Sequence, residues 1–152
     1  MSIKSFNKQG GFTLLELLIV IVIIGILALL IIPNITSAPK KARDTKRKTD
    51  ITTVRKGLEE YFVNNNVYPS SSGTVGTGGV LAELQVGSAP IVKVLPTDPK
   101  NTGNFVYTYT PANTNSTYTL TACLENDQDA GDSVVAPVTP CTTKTFQLIN
   151  GN

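Results

Sequence analysis

The sequence predicts an α+β fold in which one long amino-terminal helix packs on a small antiparallel sheet. Three observations predict it. Residues 12–32 are apolar apart from Thr13, Glu16 and Gly25. Ile51, Val54, Leu58, Tyr61 and Phe62 then recur at spacings of three, four, three and one, an apolar stripe at helical period. Beyond residue 104, short segments alternate apolar and polar residues as half-buried strands do.

The first element is the apolar run. Leu17–Ile32 is uninterrupted, and Phe12–Ile32 is twenty-one residues with Glu16 inside. At 1.5 Å per residue the longer span covers about 31 Å, enough to cross a hydrocarbon core. A secretory signal peptide fits the basic start, but the run is long and Ile31-Ile32-Pro33-Asn34 is a poor cleavage site. A plain signal anchor explains everything except Gly11 and Glu16. A carboxylate inside an apolar span is costly, so Glu16 is a functional candidate that needs a cationic partner. No Lys or Arg lies between Phe12 and Pro39. A cut after Gly11 would create an α-amine on Phe12, four residues before Glu16, and the two could pair between neighbouring copies.

The stripe from Ile51 to Phe62 continues the helix to about Asn65, where Asn64-Asn65-Asn66 and Tyr68-Pro69 end it. Pro33 and Pro39 fall inside this span and are expected to kink it. Ser70–Gly79 is Ser/Gly/Thr-rich and reads as a loop; it lacks the Gly-Lys-Ser/Thr ending of a phosphate cradle. Val80–Gln85 reads as a short helix. Phe105–Thr110 and Thr117–Leu124 alternate as strands, and Thr143–Ile149 is a weaker third.

Composition bears on function mainly by exclusion. The chain has 152 residues, 41% hydrophobic and 16% charged, and no His. The missing His excludes Ser-His-Asp and Cys-His catalysis, His-ligated zinc and HExxH proteases. No other clustered acid–base or nucleophile set is present, so an enzyme is not expected. The charge is uneven. Asn34–Lys48 carries six basic residues (Lys40, Lys41, Arg43, Lys46, Arg47, Lys48) against Asp44, whereas the chain from Thr49 onward carries five basic and nine acidic. Basic and acidic zones in a nearly neutral chain suit self-association better than nucleic-acid binding. The basic stretch has four open readings: outer-leaflet phosphates, acidic patches of neighbouring subunits, DNA, or a solvated helix face. Aromatic residues for base stacking are absent from it, which weakens the DNA reading.

The junction Lys8-Gln9-Gly10-Gly11-Phe12-Thr13-Leu14-Leu15-Glu16 resembles the leader of type IV prepilins and type II secretion pseudopilins. The resemblance implies a type IV pilin-like fold whose apolar half-helix is transmembrane. It implies cleavage after Gly11 by a membrane prepilin peptidase, N-methylation of Phe12, and Glu16 as the assembly carboxylate that pairs with the Phe12 amine. Pro33 sits where many pilins have a helix-kinking proline. More loosely, Tyr68-Pro69, Leu95-Pro96-Thr97-Asp98-Pro99 and the Tyr107/Tyr109 strand resemble the globular domain of major pseudopilins. Six basic residues follow the apolar run and two precede it, so the positive-inside count alone would place the amino terminus outside. The family has a cytoplasmic leader, and that orientation is the one expected here.

An exterior position favours a Cys123–Cys141 disulfide, the alternative being two unrelated buried thiols. A carboxy-terminal disulfide loop resembles that of many type IV pilins and is absent from most major pseudopilins. Inside the loop, Glu125, Asp127, Asp129 and Asp132 offer hard oxygen ligands suited to calcium, and major pseudopilins bind calcium in this region. No EF-hand register fits, and a solvated acidic turn is the preferred reading; no other cofactor is expected. The expected organisation is therefore a leader at 1–11, a transmembrane or filament-core half-helix at 12–33, an amphipathic half-helix at 34–65, a connecting region at 66–103, and a sheet with a disulfide loop at 104–152.

The leading functional expectation is a structural subunit of a type IV pilus for adhesion, motility or DNA uptake. A major pseudopilin of a type II secretion-like system is the alternative, and a monomeric membrane-anchored binding domain the competing class. Expected partners are copies of the chain in a helical filament, the prepilin peptidase, an assembly platform and motor in the inner membrane, the membrane itself before assembly, and, more weakly, DNA. The expected location is the inner membrane as a single-pass precursor, then an extracellular pilus or periplasmic pseudopilus.

Overall fold

The computed structural model describes residues 11–76, 79–85 and 90–150, with the backbone alone described at 30–36. One long helix, α1 (Leu14–Asn65), is followed by β1 (Gly73–Val75), a 3-10 turn (Ala82–Gln85), β2 (Tyr107–Ala112), β3 (Thr117–Cys123), β4 (Val134–Val135) and β5 (Thr145–Asn150). The chain divides into two compact units between Ser37 and Ala38, and α1 contributes to both. Pro33 and Pro39 both lie within α1.

In the first unit the side chains from Phe12 to Leu27 are exposed, and because this helix is apolar on nearly every side the surface it presents is apolar whichever way it turns. Among the described residues no helix is long and apolar enough to cross a membrane. The described side chains of this run stop at Leu29, three residues before the run ends in the sequence at Ile32.

The second unit is a five-stranded antiparallel sheet in the order β1-β2-β3-β5-β4 with α1 packed on one face. The register places Tyr107 opposite Ala122 and Tyr109 opposite Leu120, and on the other side of β3 it places Leu120 opposite Leu148 and Ala122 opposite Phe146. These inward residues meet Ile51, Val54 and Leu58, so the predicted helical stripe and the predicted strand alternation form one core. The opposite sheet face carries a cross-strand row of Thr74, Thr108, Thr121 and Gln147, in which β-branched Thr suits the pleated surface and every side chain has a polar group to present to water.

Two strands lie where none is predicted. β1 falls inside the segment read as a loop and pairs with β2, and β4 has only two residues. Edge strands this short carry too little alternation to register in sequence. Helix and sheet are further joined at Glu59, which accepts hydrogen bonds from the Tyr68 hydroxyl (3.0 Å), the Tyr118 hydroxyl (2.7 Å) and Asn150 Nδ2 (2.9 Å). Burial, reinforced by this carboxylate, pushes the Tyr68 phenol up to about 12.

At Gly57 the helix lies close against the segment that carries Val92. A Cβ placed there would lie 2.5 Å from Val92 Cγ2. Gly57→Ala gains helix propensity of about 1 kcal/mol, but the overpacking costs about 1–3 kcal/mol. The variant is therefore expected to lower the urea midpoint, and Val92→Ala in the same chain to restore it.

Candidate functional site

The amino-terminal junction is open. Gly11, Phe12 and Thr13 are all exposed and precede the first helical residue, so the Gly11–Phe12 peptide bond lies outside regular structure. Thr13 caps the helix. Its Oγ1 accepts from the Glu16 N–H at 3.2 Å, while Glu16 Oε2 accepts from the Thr13 N–H at 3.2 Å and from its hydroxyl at 3.0 Å. This reciprocal capping box satisfies two of the orphan donors of the helix start. The Thr13-x-x-Glu16 spacing is legible in the sequence, yet the resemblance draws attention to Glu16 alone. In the uncut chain Phe12 has no α-amine, and the carboxylate expected to pair with it is engaged with Thr13.

The basic stretch behaves differently from a solvated helix face. Asp44 and Arg47 precede Ile51, Val54 and Leu58 at spacings of three and four, so they belong to the same buried helix face. Arg47 is wholly buried. Its Nε and Nη2 donate to the two oxygens of Asp98 at 2.6 and 2.9 Å, and its Nη1 donates to Asp44 at 2.8 Å and Glu125 at 2.7 Å. Arg43 forks onto both Glu125 oxygens at 2.7 Å, and Lys100 Nζ reaches Glu125 at 2.8 Å. Three cations thus face three carboxylates. Arg47 also lies 4.7 Å from the Phe105 ring centroid.

The carboxylates are themselves held. Asp44 accepts the N–H groups of Glu125 (2.9 Å) and Asn126 (2.8 Å), and Asp98 accepts that of Lys100 at 2.8 Å. Among the described residues no buried side-chain N or O lacks a partner. Burial alone would make Arg47 easier to deprotonate, but its bonds to Asp98, Glu125 and Asp44 outweigh it and raise the pKa. The Arg43 hydrogen bond, aided by Lys100 and Arg47 and opposed by burial, holds the Glu125 carboxyl well below the usual carboxylate range.

The remaining cations follow the same rule. Lys46 pairs with Asp50, which also accepts from the Tyr107 hydroxyl at 2.8 Å, and Lys48 reaches Asp129 at 2.6 Å. Burial works to raise the Asp129 pKa, yet Lys48 and the Gly131 N–H hold it below its ordinary value. Four of the six cations of the stretch are therefore answered by carboxylates of their own chain. Lys40 and Lys41 are exposed, and neither forms an ion pair among the described residues.

The acidic loop is brought to the helix rather than around a cation. Glu125 and Asp129 face Arg43, Arg47, Lys100 and Lys48, and among the described residues no group of three or more His, Cys, Asp or Glu side chains could hold a metal ion. The four calcium candidates, Glu125, Asp127, Asp129 and Asp132, are thus not gathered into one site. Cys123 and Cys141 form the expected disulfide, with Cα atoms 5.3 Å apart, and close the loop that carries Glu125 and Asp129. The looser family motifs acquire physical roles. Leu95 is in the core, Asp98 clamps Arg47, and the Tyr109 hydroxyl donates to the Pro69 carbonyl at 2.8 Å.

Comparison with known proteins gives two family matches. Residues 6–32 match the prokaryotic N-terminal methylation motif, and residues 34–139 match the type II secretion system (T2SS) protein G family. The type II secretion system core protein G of Vibrio cholerae is 44% identical over 68 residues, covering 45% of this chain and 47% of the relative. Those of Escherichia coli (42% over 69 residues; 45% and 48% covered) and Pseudomonas aeruginosa (43% over 65 residues; 43% and 46% covered) are similar. The aligned part thus spans about half the length of these curated relatives. No solved structure matches. These names agree with the pseudopilin alternative better than with the leading surface-pilus expectation.

Two outcomes are expected of the charge cluster. Asp98→Ala leaves Nε and Nη2 of the buried Arg47 without their carboxylate and is expected to destabilise the domain by about 3 kcal/mol in chemical denaturation. Because the folded pKa of Glu125 lies below its unfolded value, its contribution is complete above the unfolded pKa of about 4.5 and is lost as pH falls from there towards the folded pKa. Melting temperature should therefore fall steeply below about pH 4.5, and Glu125→Gln should flatten that limb while lowering stability at neutral pH.

Proposed function

Because the chain belongs to the type II secretion system protein G family, we propose that it is a major pseudopilin, a structural subunit that polymerises through its amino-terminal helix. The observation that carries the reading is the pairing of the two matches along one chain. A methylation motif covers 6–32, and the protein G family covers the domain that follows it. Supporting it physically is a contrast in surface. Four of the six cations in the basic stretch of the globular unit are paired within the chain, while the helix before Ser37 leaves Phe12 and the following aliphatic side chains exposed. Such a surface needs lipid or neighbouring helices around it.

In this reading 1–11 is the leader, the peptidase cuts after Gly11, Phe12 is N-methylated, and the apolar run to Ile32 is held in the inner membrane before assembly. Moving that helix from lipid into a protein core leaves apolar transfer nearly neutral, so packing and polar pairs must decide the balance. Glu16 then exchanges its capping partner Thr13 for the new Phe12 amine of its own or a neighbouring copy. The subunit has no catalytic task. Its partners are further copies, the peptidase, and an assembly platform with its motor, and its destination is a periplasmic pseudopilus. A surface pilus is the second reading, favoured by one observation: the Cys123–Cys141 disulfide, whose second cysteine lies past the matched residues.

The test is the intact mass of the protein from membranes and from sheared surface fibres of its native cells. A pseudopilin gives a species that starts at a methylated Phe12 and is found in the membrane fraction. The same species abundant in sheared fibres favours the surface pilus, and uncut protein in membranes with no polymer refutes both. Glu16→Ala is expected to insert and be cut normally but to abolish filaments.

A further inference from the structure

We propose that Lys40 and Lys41 form a docking point for the phosphates of anionic phospholipid headgroups on the membrane face where the globular unit emerges. The inference rests on the membrane-held precursor proposed above. It begins from the partition of charge within the basic stretch. Arg43, Lys46, Arg47 and Lys48 each have a carboxylate of their own chain at 2.6–3.2 Å, Arg47 in the interior and the other three from partly or largely exposed positions. Lys40 and Lys41 form no ion pair among the described residues and stand in a segment whose residues are all exposed, Ala38-Pro39-Lys40-Lys41-Ala42.

Position in the chain selects the partner. Lys40 comes eight residues after Ile32, the end of the apolar run. Eight residues reach at most about 28 Å when fully extended and about 12 Å when helical. Both lysines therefore stay close to the headgroup layer whenever the run is in the bilayer. A basic residue held within a few ångströms of an anionic membrane surface is attracted to it.

The geometry also favours a plane over a strand of nucleic acid. Adjacent residues on a helix are about 100° apart, so the two ammonium groups splay around the axis at nearly one level, as a headgroup layer crossed by a helix requires. A nucleic-acid backbone running along the helix would need cations at spacings of three and four. The residues at those spacings from Lys40 are Arg43 and Asp44, and the next is Arg47, all occupied with one another or with Glu125 and Asp98. Lys48, seven residues after Lys41, is held by Asp129. The phosphate reading of the stretch thus narrows to two residues and one kind of surface.

The experiment uses the full chain. It is reconstituted in phosphatidylcholine vesicles and in vesicles containing phosphatidylglycerol, its insertion is verified by flotation, and the lipids retained on it are read by native mass spectrometry from an equimolar detergent mixture. Each lysine at an anionic surface contributes about a fivefold preference. The unaltered chain should therefore retain phosphatidylglycerol over phosphatidylcholine by roughly twenty-five-fold. K40Q/K41Q should lose most of that preference, K40R/K41R should keep it, and K93Q, a control far along the chain, should leave it unchanged. Insertion with equal retention of both lipids, or a preference that survives in K40Q/K41Q, overturns the inference while leaving the pseudopilin reading intact. A chain that fails to float with either vesicle overturns the membrane-held precursor itself. Preferential retention of a duplex oligonucleotide, lost in K40Q/K41Q, would assign the lysines to nucleic acid instead.

Discussion

The globular unit depends on the burial of one guanidinium. Arg47 enters the interior with no solvent contact, where an unpaired charge would be prohibitive, so carboxylates have to arrive from elsewhere in the chain. One comes from the preceding helical turn (Asp44), one from the Leu95–Pro99 segment (Asp98), and one from the residue pair after β3 (Glu125). A planar fork with fixed hydrogen-bond directions accepts them in one geometry only. The cluster therefore sets where two irregular segments sit on the helix, which the non-directional contacts of Ile51, Val54 and Leu58 do not do.

This network explains why a domain with basic and acidic zones can present little net charge where they meet. The disulfide and the network act on the same loop. Cys123–Cys141 restricts the loop's freedom in the unfolded chain, a gain of about 3 kcal/mol for a loop of this length in the chain-entropy picture. In the folded chain Glu125 and Asp129 bind that loop to α1. Of the four acidic residues that the composition suggests for calcium, Glu125 and Asp129 are engaged in ion pairs with basic residues of the chain.

The stretch of α1 from Leu14 to Leu29 has the opposite character. Its charge is confined to Glu16, its helix start is closed by the Thr13–Glu16 box, and everything else it offers is aliphatic surface. In the proposed filament such a helix contributes packing without specificity, and the polar groups at its start supply register. In the proposed function the carboxylate that caps the helix, Glu16, would pass to the amine released by cleavage and so change partner without being left unpaired.

The sequence by itself determined the elements whose signal is local and periodic. The Ile51–Phe62 stripe, the alternation of β2 and β3 and the ending of α1 near Asn65 each rest on residues a few positions apart. The family relationship was legible for the same reason, because it is written in a contiguous motif. What only the tertiary structure decided are the long-range pairings: Arg47 with Asp98 and Glu125, Lys48 with Asp129, Tyr107 with Asp50, and the edge strands β1 and β4, whose partners lie far along the chain. A charged residue in a helix carries no mark of which distant carboxylate will meet it. The helical spacing from Asp44 and Arg47 to Ile51 was the one local clue that these charges face inward. It becomes readable once burial of the stripe is known, because solvation makes charge the default signal for an outward face and only a matching set of opposite charges, assembled by the fold, reverses that default.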